Sequence, residues 1–177
     1  MEIKRLQETA DLIDSFKSHF VLSWEEFQVR QKAWIDRMAE NGYPVNMEWY
    51  EQAYLWDKIN PDFPCVSMET ALAYLRERNG SVLFMAEKGE DAYYRGKKTV
   101  DFVAEANAQA LAEQIEKDWY SAYQAAAQGA YSADAFLPED LYVFDGSMEW
   151  CIVFTHELTD CDSADSTESR ACILCTR

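Results

Sequence analysis

Asp140-Leu-Tyr-Val-Phe-Asp-Gly-Ser-Met-Glu-Trp-Cys-Ile-Val-Phe-Thr-His-Glu157 is the stretch whose reading decides the fold. Two runs of β-branched and aromatic residues flank Asp145-Gly146-Ser147. Asp-Gly is a favoured hairpin dipeptide, because glycine accepts positive φ at no steric cost. The stretch therefore predicts a β-hairpin. Side chains on a strand alternate in direction, so Trp150, Ile152, Phe154 and His156 share one face. Cys151, Val153, Thr155 and Glu157 share the other.

Working outward from the hairpin, the chain ahead of it is mostly helical in pattern. Ile3, Leu6, Ala10, Ile13, Phe16 and Phe20 recur at three- and four-residue spacing, which predicts a first helix. Ser23-Trp24-Glu25-Glu26 is a capping box. It opens a second helix with the stripe Trp24, Phe27, Gln31, Trp34 and Met38, ending near Asn41-Gly42. Met47 to Ile59 predicts a third helix, closed by Pro61 and Pro64. Ser67 caps a fourth through Ala71, Leu72 and Leu75, with Asn79-Gly80 as the left-handed stop. The apolar run Ser81–Ala86 reads as a buried strand. Thr99 is expected to open the longest helix, reaching toward Gln128-Gly129, with Val103, Leu111, Ile115 and Trp119 on one side. Its many alanines favour helix intrinsically and allow close approach of another element. After the hairpin, the polar run Asp160–Ser169 leads to a last strand, Ala171–Cys175. Helices before strands point to an α+β fold: four or five helices on a small, mainly antiparallel sheet, as one domain over residues 1–177.

The totals fit one packed domain. The chain has 177 residues, 49% of them hydrophobic and 14% aromatic, enough to bury roughly 70% of its unfolded surface. No run approaches the ~20 apolar residues of a membrane span. Met1-Glu2-Ile3-Lys4-Arg5 lacks the pattern of a signal peptide, so the cytoplasm is the expected compartment. There the five cysteines, an odd number, are expected to be reduced.

Net charge is −16, from 32 acidic and 16 basic residues. That field opposes phosphate backbones and excludes nucleic acid as a partner without a segregated basic face. Lys88–Lys98, with Tyr93-Tyr94-Arg95-Gly96-Lys97-Lys98, pairs aromatic and basic groups as single-strand binders do. In so acidic a chain it reads as a solvated loop. The charge favours encounter with a basic protein.

Two constellations carry possible chemistry. His156 with Glu157 is a candidate proton-transfer pair, although neighbours on a strand face opposite ways. His156, Cys161, Cys172 and Cys175 offer one imidazole and three thiols, a tetrahedral zinc set. Cys172-Ile-Leu-Cys175 has CxxC spacing, but a strand sets residues three apart on opposite faces. The metal reading is therefore the weaker expectation, and a redox CxxC at a helix start is weaker still. Nucleophile elbows, phosphate loops and dinucleotide fingerprints are absent, so no cofactor is expected. His19, near the end of the first helix, reads as a C-terminal residue facing the dipole.

Leu141-Tyr-Val-Phe-Asp145, Trp150 and Thr155-His156-Glu157 resemble the C-terminal signature of a family of small bacterial proteins, a domain of unknown function. Tyr54-Leu55-Trp56 is similar to that family's tryptophan-containing helix. The resemblance covers about a quarter of the chain by its motifs. It implies a self-contained cytoplasmic domain and brings no activity with it. The expectation drawn from these residues is a non-enzymatic protein-binding domain, of immunity or inhibitor type in its concrete version. The alternative is a metal-binding or hydrolytic enzyme with its site at the His156 strand end.

Overall fold

A computed structural model describes residues 1–43, 54–87, 100–127, 136–138, 140–155 and 172–176. In chain order these form β1 (Lys4–Arg5), α1 (Ala10–Phe20), α2 (Trp24–Glu40) and a 3-10 turn (Trp56–Lys58). Then come β2 (Cys65–Val66), α3 (Met68–Arg76), β3 (Ser81–Glu87), β4 (Val100–Asn107) and α4 (Ala108–Ala127). The hairpin strands β5 (Leu141–Phe144) and β6 (Trp150–Phe154) precede β7 (Cys172–Thr176). The fold is α+β.

The sheet has seven strands in the order β1-β4-β3-β5-β6-β7-β2. Every pairing is antiparallel. Its two edges are strands of two residues, too short to template pairing with another chain. It is larger than expected, and its strands are interleaved with helices rather than following them.

Two expected helices give way to strands. The helix read from Ile3 begins at Ala10 instead, because Lys4 and Arg5 pair with Glu105 and Ala104 of β4. The Arg5 guanidinium lies 4.5 Å over the Phe102 ring, and Glu8 turns the chain into α1 at φ 56°. The helix read from Thr99 begins at Ala108, since Val100–Asn107 is strand β4, paired to β3 along its length. Alanine propensity argued for helix there. It is a weak prior, and pairing on both sides overrides it. Asn107 caps α4, its Oδ1 accepting from Ala110 N at 3.1 Å while its Nδ2 donates to Gly80 O at 3.4 Å. The small residues do what close approach requires: Ala104, Ala106, Ala108 and Ala112 are all buried where β4 runs into α4.

Other elements follow the sequence closely. The Ser23 hydroxyl accepts from Glu26 N at 3.3 Å, and the Glu26 carboxylate accepts from Ser23 N at 2.9 Å, completing the capping box. Gly42, just past α2, has φ 77°. Ser67 caps α3 by accepting from Thr70 N at 3.2 Å. That helix ends at Arg76, and Gly80 at φ 85° directs the chain into β3. Of the third predicted helix, the described end is only the 3-10 turn, and residues 47–53 lie outside the described residues. The Lys88–Lys98 loop, the 160–169 run and the far end of the Thr99 helix, Gln128-Gly129, lie outside them too.

Strand alternation sends side chains into two cores. On one face Phe84, Val143, Trp150, Ile152, Phe154 and Cys172 meet Met68, Leu72 and Leu75 of α3 and Leu111 and Ile115 of α4. On the other, Met85, Val103, Tyr142, Phe144, Val153 and Ile173 meet Phe16 and Phe20 of α1, with Trp56 and Ile59. Burying each such large side chain contributes about 1.5–3 kcal/mol, which is why both faces are covered. Among the described residues, no helix is long and apolar enough to cross a membrane.

Candidate functional site

His156, Glu157 and Cys161 lie outside the described residues; Thr155, the last described residue before them, is buried. The face assignment made for the strand leading there holds for its described part: Trp150, Ile152 and Phe154 share one core, Cys151 and Val153 the other.

The same alternation separates the sulfurs of the CxxC. Cys172 lies on the α3–α4 face, its thiol donating to Met68 Sδ at 3.9 Å. Cys175 lies on the α1 face, directly across the strand pair from Cys151. From opposite faces of one sheet the two thiols do not converge on a common ion. Among the described residues no group of three or more His, Cys, Asp or Glu side chains is arranged to hold a metal.

Cys151 and Cys175 hydrogen-bond to each other through their thiols. Burial pushes the Cys151 thiol well above the usual cysteine range, and the hydrogen bond and charge of Cys175 push the same way. Cys151, Cys172 and Cys175 are not disulfide-bonded. Cys65 is disulfide-bonded, which corrects the expectation that every cysteine is reduced. That expectation rested on the N-terminus and on the odd number of cysteines, and no local pattern around Cys65 argued otherwise.

At the hairpin turn a polar cluster forms that sequence reading missed. The glycine does not supply the left-handed residue: Met148 does, at φ 56°, and its side chain packs into the α1-face core. Asp145 braces the turn in the glycine's place. Its carboxylate accepts from Ser147 N at 2.9 Å, from the Ser147 hydroxyl, and from Trp150 Nε1 at 2.7 Å. Burial raises the Asp145 carboxyl, but the Ser147 hydrogen bonds, the Trp150 indole and the Arg78 charge outweigh it and hold it below its ordinary value. The Arg78 guanidinium lies 4.1 Å over Tyr74 and 5.7 Å over Trp150, and Tyr74 meets Trp150 edge-on. Asp145 thus stays ionised with its oxygens engaged, a structural brace rather than an acid or base. The signal available in sequence was an aspartate five residues before a tryptophan. Arg78 could not have been found from it.

His19 sits in the last turn of α1, as expected, its Nδ1 2.7 Å from Ser15 O. The remaining chemistry is surface charge. Glu8, Asp11, Asp14, Glu25, Asp36 and Glu40 are exposed on and beside α1 and α2. Hydrogen bonds from the Ser23 side chain and backbone hold the Glu26 carboxyl below its ordinary value. Beside Glu25 and Glu26, Trp24 is 51% exposed, and the Lys58 ammonium lies 5.7 Å from the centre of its ring.

Comparison with family models, curated proteins and solved structures gives no match. The likeness to a bacterial family rests on the quoted residues alone.

Proposed function

We propose that this protein is a non-enzymatic binding module that holds a basic protein against its acidic surface. An immunity or inhibitor role toward a cationic toxin is the concrete form of this reading. The observation that carries it is the net charge of −16. A charge of that size steers oppositely charged partners and rejects wrong ones. Support comes from α1 and α2, which carry exposed carboxylates, with Glu25 and Glu26 next in sequence to the half-exposed Trp24. Tryptophan is among the residue types enriched at interface hot spots. Basic side chains elsewhere are partly neutralised within the chain, through Lys4–Glu105, Lys32–Asp36 and Arg76–Glu116.

The test is capture from a lysate at low salt and at about 1 M salt, where the screening length falls to about 3 Å. Parent protein is compared with Trp24→Ala and with the double charge reversal Glu25→Lys, Glu40→Lys. The reading expects a basic protein that salt releases and that both variants capture at least tenfold less. Capture that ignores salt and both variants overturns it. The cytoplasmic location belongs to the same proposal and stands against the disulfide at Cys65, which a reducing compartment would open. Mass analysis of protein alkylated at the moment of cell lysis decides that question.

A further inference from the structure

Three of the glycines follow an asparagine or an aspartate, at Asn41-Gly42, Asn79-Gly80 and Asp145-Gly146. Such pairs are chemically labile, because a glycine has no side chain to shield its amide nitrogen from the carbonyl carbon of the side chain before it. Asparagine is the more reactive partner and a thermolabile residue. The fold treats the three pairs differently. Asn41 Nδ2 donates to Arg37 O at 2.8 Å and Gly42 N to Ala39 O at 3.0 Å, so both reacting groups are tied to the last turn of α2. Asp145 is held ionised, a poor electrophile, with its oxygens engaged by Ser147 and Trp150. Asn79-Gly80 has neither restraint. Among the described residues, no hydrogen bond holds the Asn79 amide or Gly80 N. Both residues are exposed, and beyond the chain neighbours no heavy atom lies within 4 Å of where a Gly80 Cβ would stand.

We infer that Asn79-Gly80 is a self-modification site, where the chain deamidates through a cyclic imide to aspartyl and isoaspartyl forms while the other two pairs are held back. The reacting atoms belong to adjacent residues, so no distant group has to be brought up. Gly80 N gives up its proton and attacks Asn79 Cγ. The bond from Cγ to Gly80 N forms, the bond from Cγ to Nδ2 breaks, and Nδ2 leaves as ammonia with the proton. Water, the only co-reactant, then opens the imide on either side. Attack at Cγ restores the ordinary peptide link with an aspartate side chain. Attack at the backbone carbonyl leaves the chain running through Cγ, an isoaspartyl link. Nothing is oxidised or reduced.

The position gives the change structural consequences. Asn79 and Gly80 join the end of α3 to β3, the strand that β4 and β5 flank. Both products place a new carboxylate just past the C-terminus of α3, where the helix dipole disfavours negative charge. The isoaspartyl product also adds one atom to the main chain ahead of β3. Gly80 O is a junction of its own, accepting from Ala108 N at 3.0 Å and from Asn107 Nδ2 at 3.4 Å. A longer link upstream shifts that carbonyl and loosens the start of α4, whereas the aspartyl product leaves the link at its normal length.

The experiment ages the full-length protein at pH 8.5, folded and in urea, and maps it with a glutamyl protease under mildly acidic conditions that add no deamidation of their own. Mass spectrometry reads the exchange of NH for O. Asp-N protease, which cuts before aspartate but not before isoaspartate, separates the two products. In folded protein the Asn79 peptide is expected to convert at least fivefold faster than the Asn41 peptide, mainly to isoaspartate, with Asp145 unchanged. In urea, where the α2 bonds are gone, the two asparagines are expected to convert at similar rates. Asn79 staying intact in the folded protein overturns the proposal, as does Asn41 keeping pace with it. Rates that stay apart in urea overturn it too, because the difference then comes from neighbouring sequence and not from the fold. Asn79→Asp supplies the charge without the extra atom: faster amide exchange at Ala108 in aged protein than in this variant is expected, and equal exchange overturns the consequence drawn for α4.

Discussion

Replacing Asp145 by alanine removes the one acceptor that three donors of the hairpin turn share. The donors differ in what they lose. Ser147 is exposed, so its N–H and hydroxyl return to water at a cost of a few tenths of a kcal/mol to about 1 kcal/mol together. Trp150 is 4% exposed, and its Nε1 is left without its 2.7 Å partner in a site water does not reach freely. An unpaired buried donor costs about 1–3 kcal/mol. The sum is about 1–4 kcal/mol, a large part of the roughly 5–15 kcal/mol that stabilises a typical domain. Asp145→Asn keeps the shape but must aim its amide NH2 at one set of donors, so it is expected to lose about 1–2 kcal/mol. The acid limb gives a second, independent check. Because the folded carboxyl titrates below its unfolded value of about 3.9, its contribution is complete above that value. It is lost as pH falls through the folded pKa. Urea unfolding at pH 7, 5, 4, 3 and 2 should therefore show the gap between parent and Asp145→Asn narrowing below about pH 4. An alanine variant within about 0.5 kcal/mol of the parent, or an asparagine gap that stays constant with pH, would refute the brace.

Two further substitutions probe the layers around the hairpin. Phe16 is fully buried and its ring lies 5.0–5.8 Å from those of Phe20, Tyr142 and Phe144, so Phe16→Ala should cost about 3–5 kcal/mol; denaturant unfolding that shifts by under 1 kcal/mol would mean α1 is not clamped to the sheet. Asn107→Ala deletes the α4 cap and the bond to Gly80 O, with an expected loss of about 1 kcal/mol and earlier amide exchange at Ala110 than elsewhere in the helix.

How much of this was readable in the sequence depends on where each element finds its partners. The hairpin, the Ser23 capping box and the Ser67 cap rest on residues within a few positions of one another, and each is where the pattern put it. β4 and β1 are the opposite case. Val100–Asn107 has alanines that suit a helix and becomes a strand only because β3 and β1 pair with it on either side. Lys4-Arg5 is too short to carry a period at all. No window of local sequence contains those partners, so local propensity answered a question that tertiary pairing decided.

The candidate site divides along the same line, and the division says where function should be sought. Alternation alone set Cys151 apart from Trp150 and told that a strand would part Cys172 from Cys175, which is as far as one strand's sequence reaches. What joins Cys151 to Cys175, and Cys65 to the same face, is the register of β7 between β6 and β2. Register is fixed by which face is buried, and slipping β7 by one residue would exchange Cys172 for its neighbours and send Cys175 to the α3–α4 side. The buried pair therefore exists only in the assembled sheet, while the acidic charge exists in any conformation.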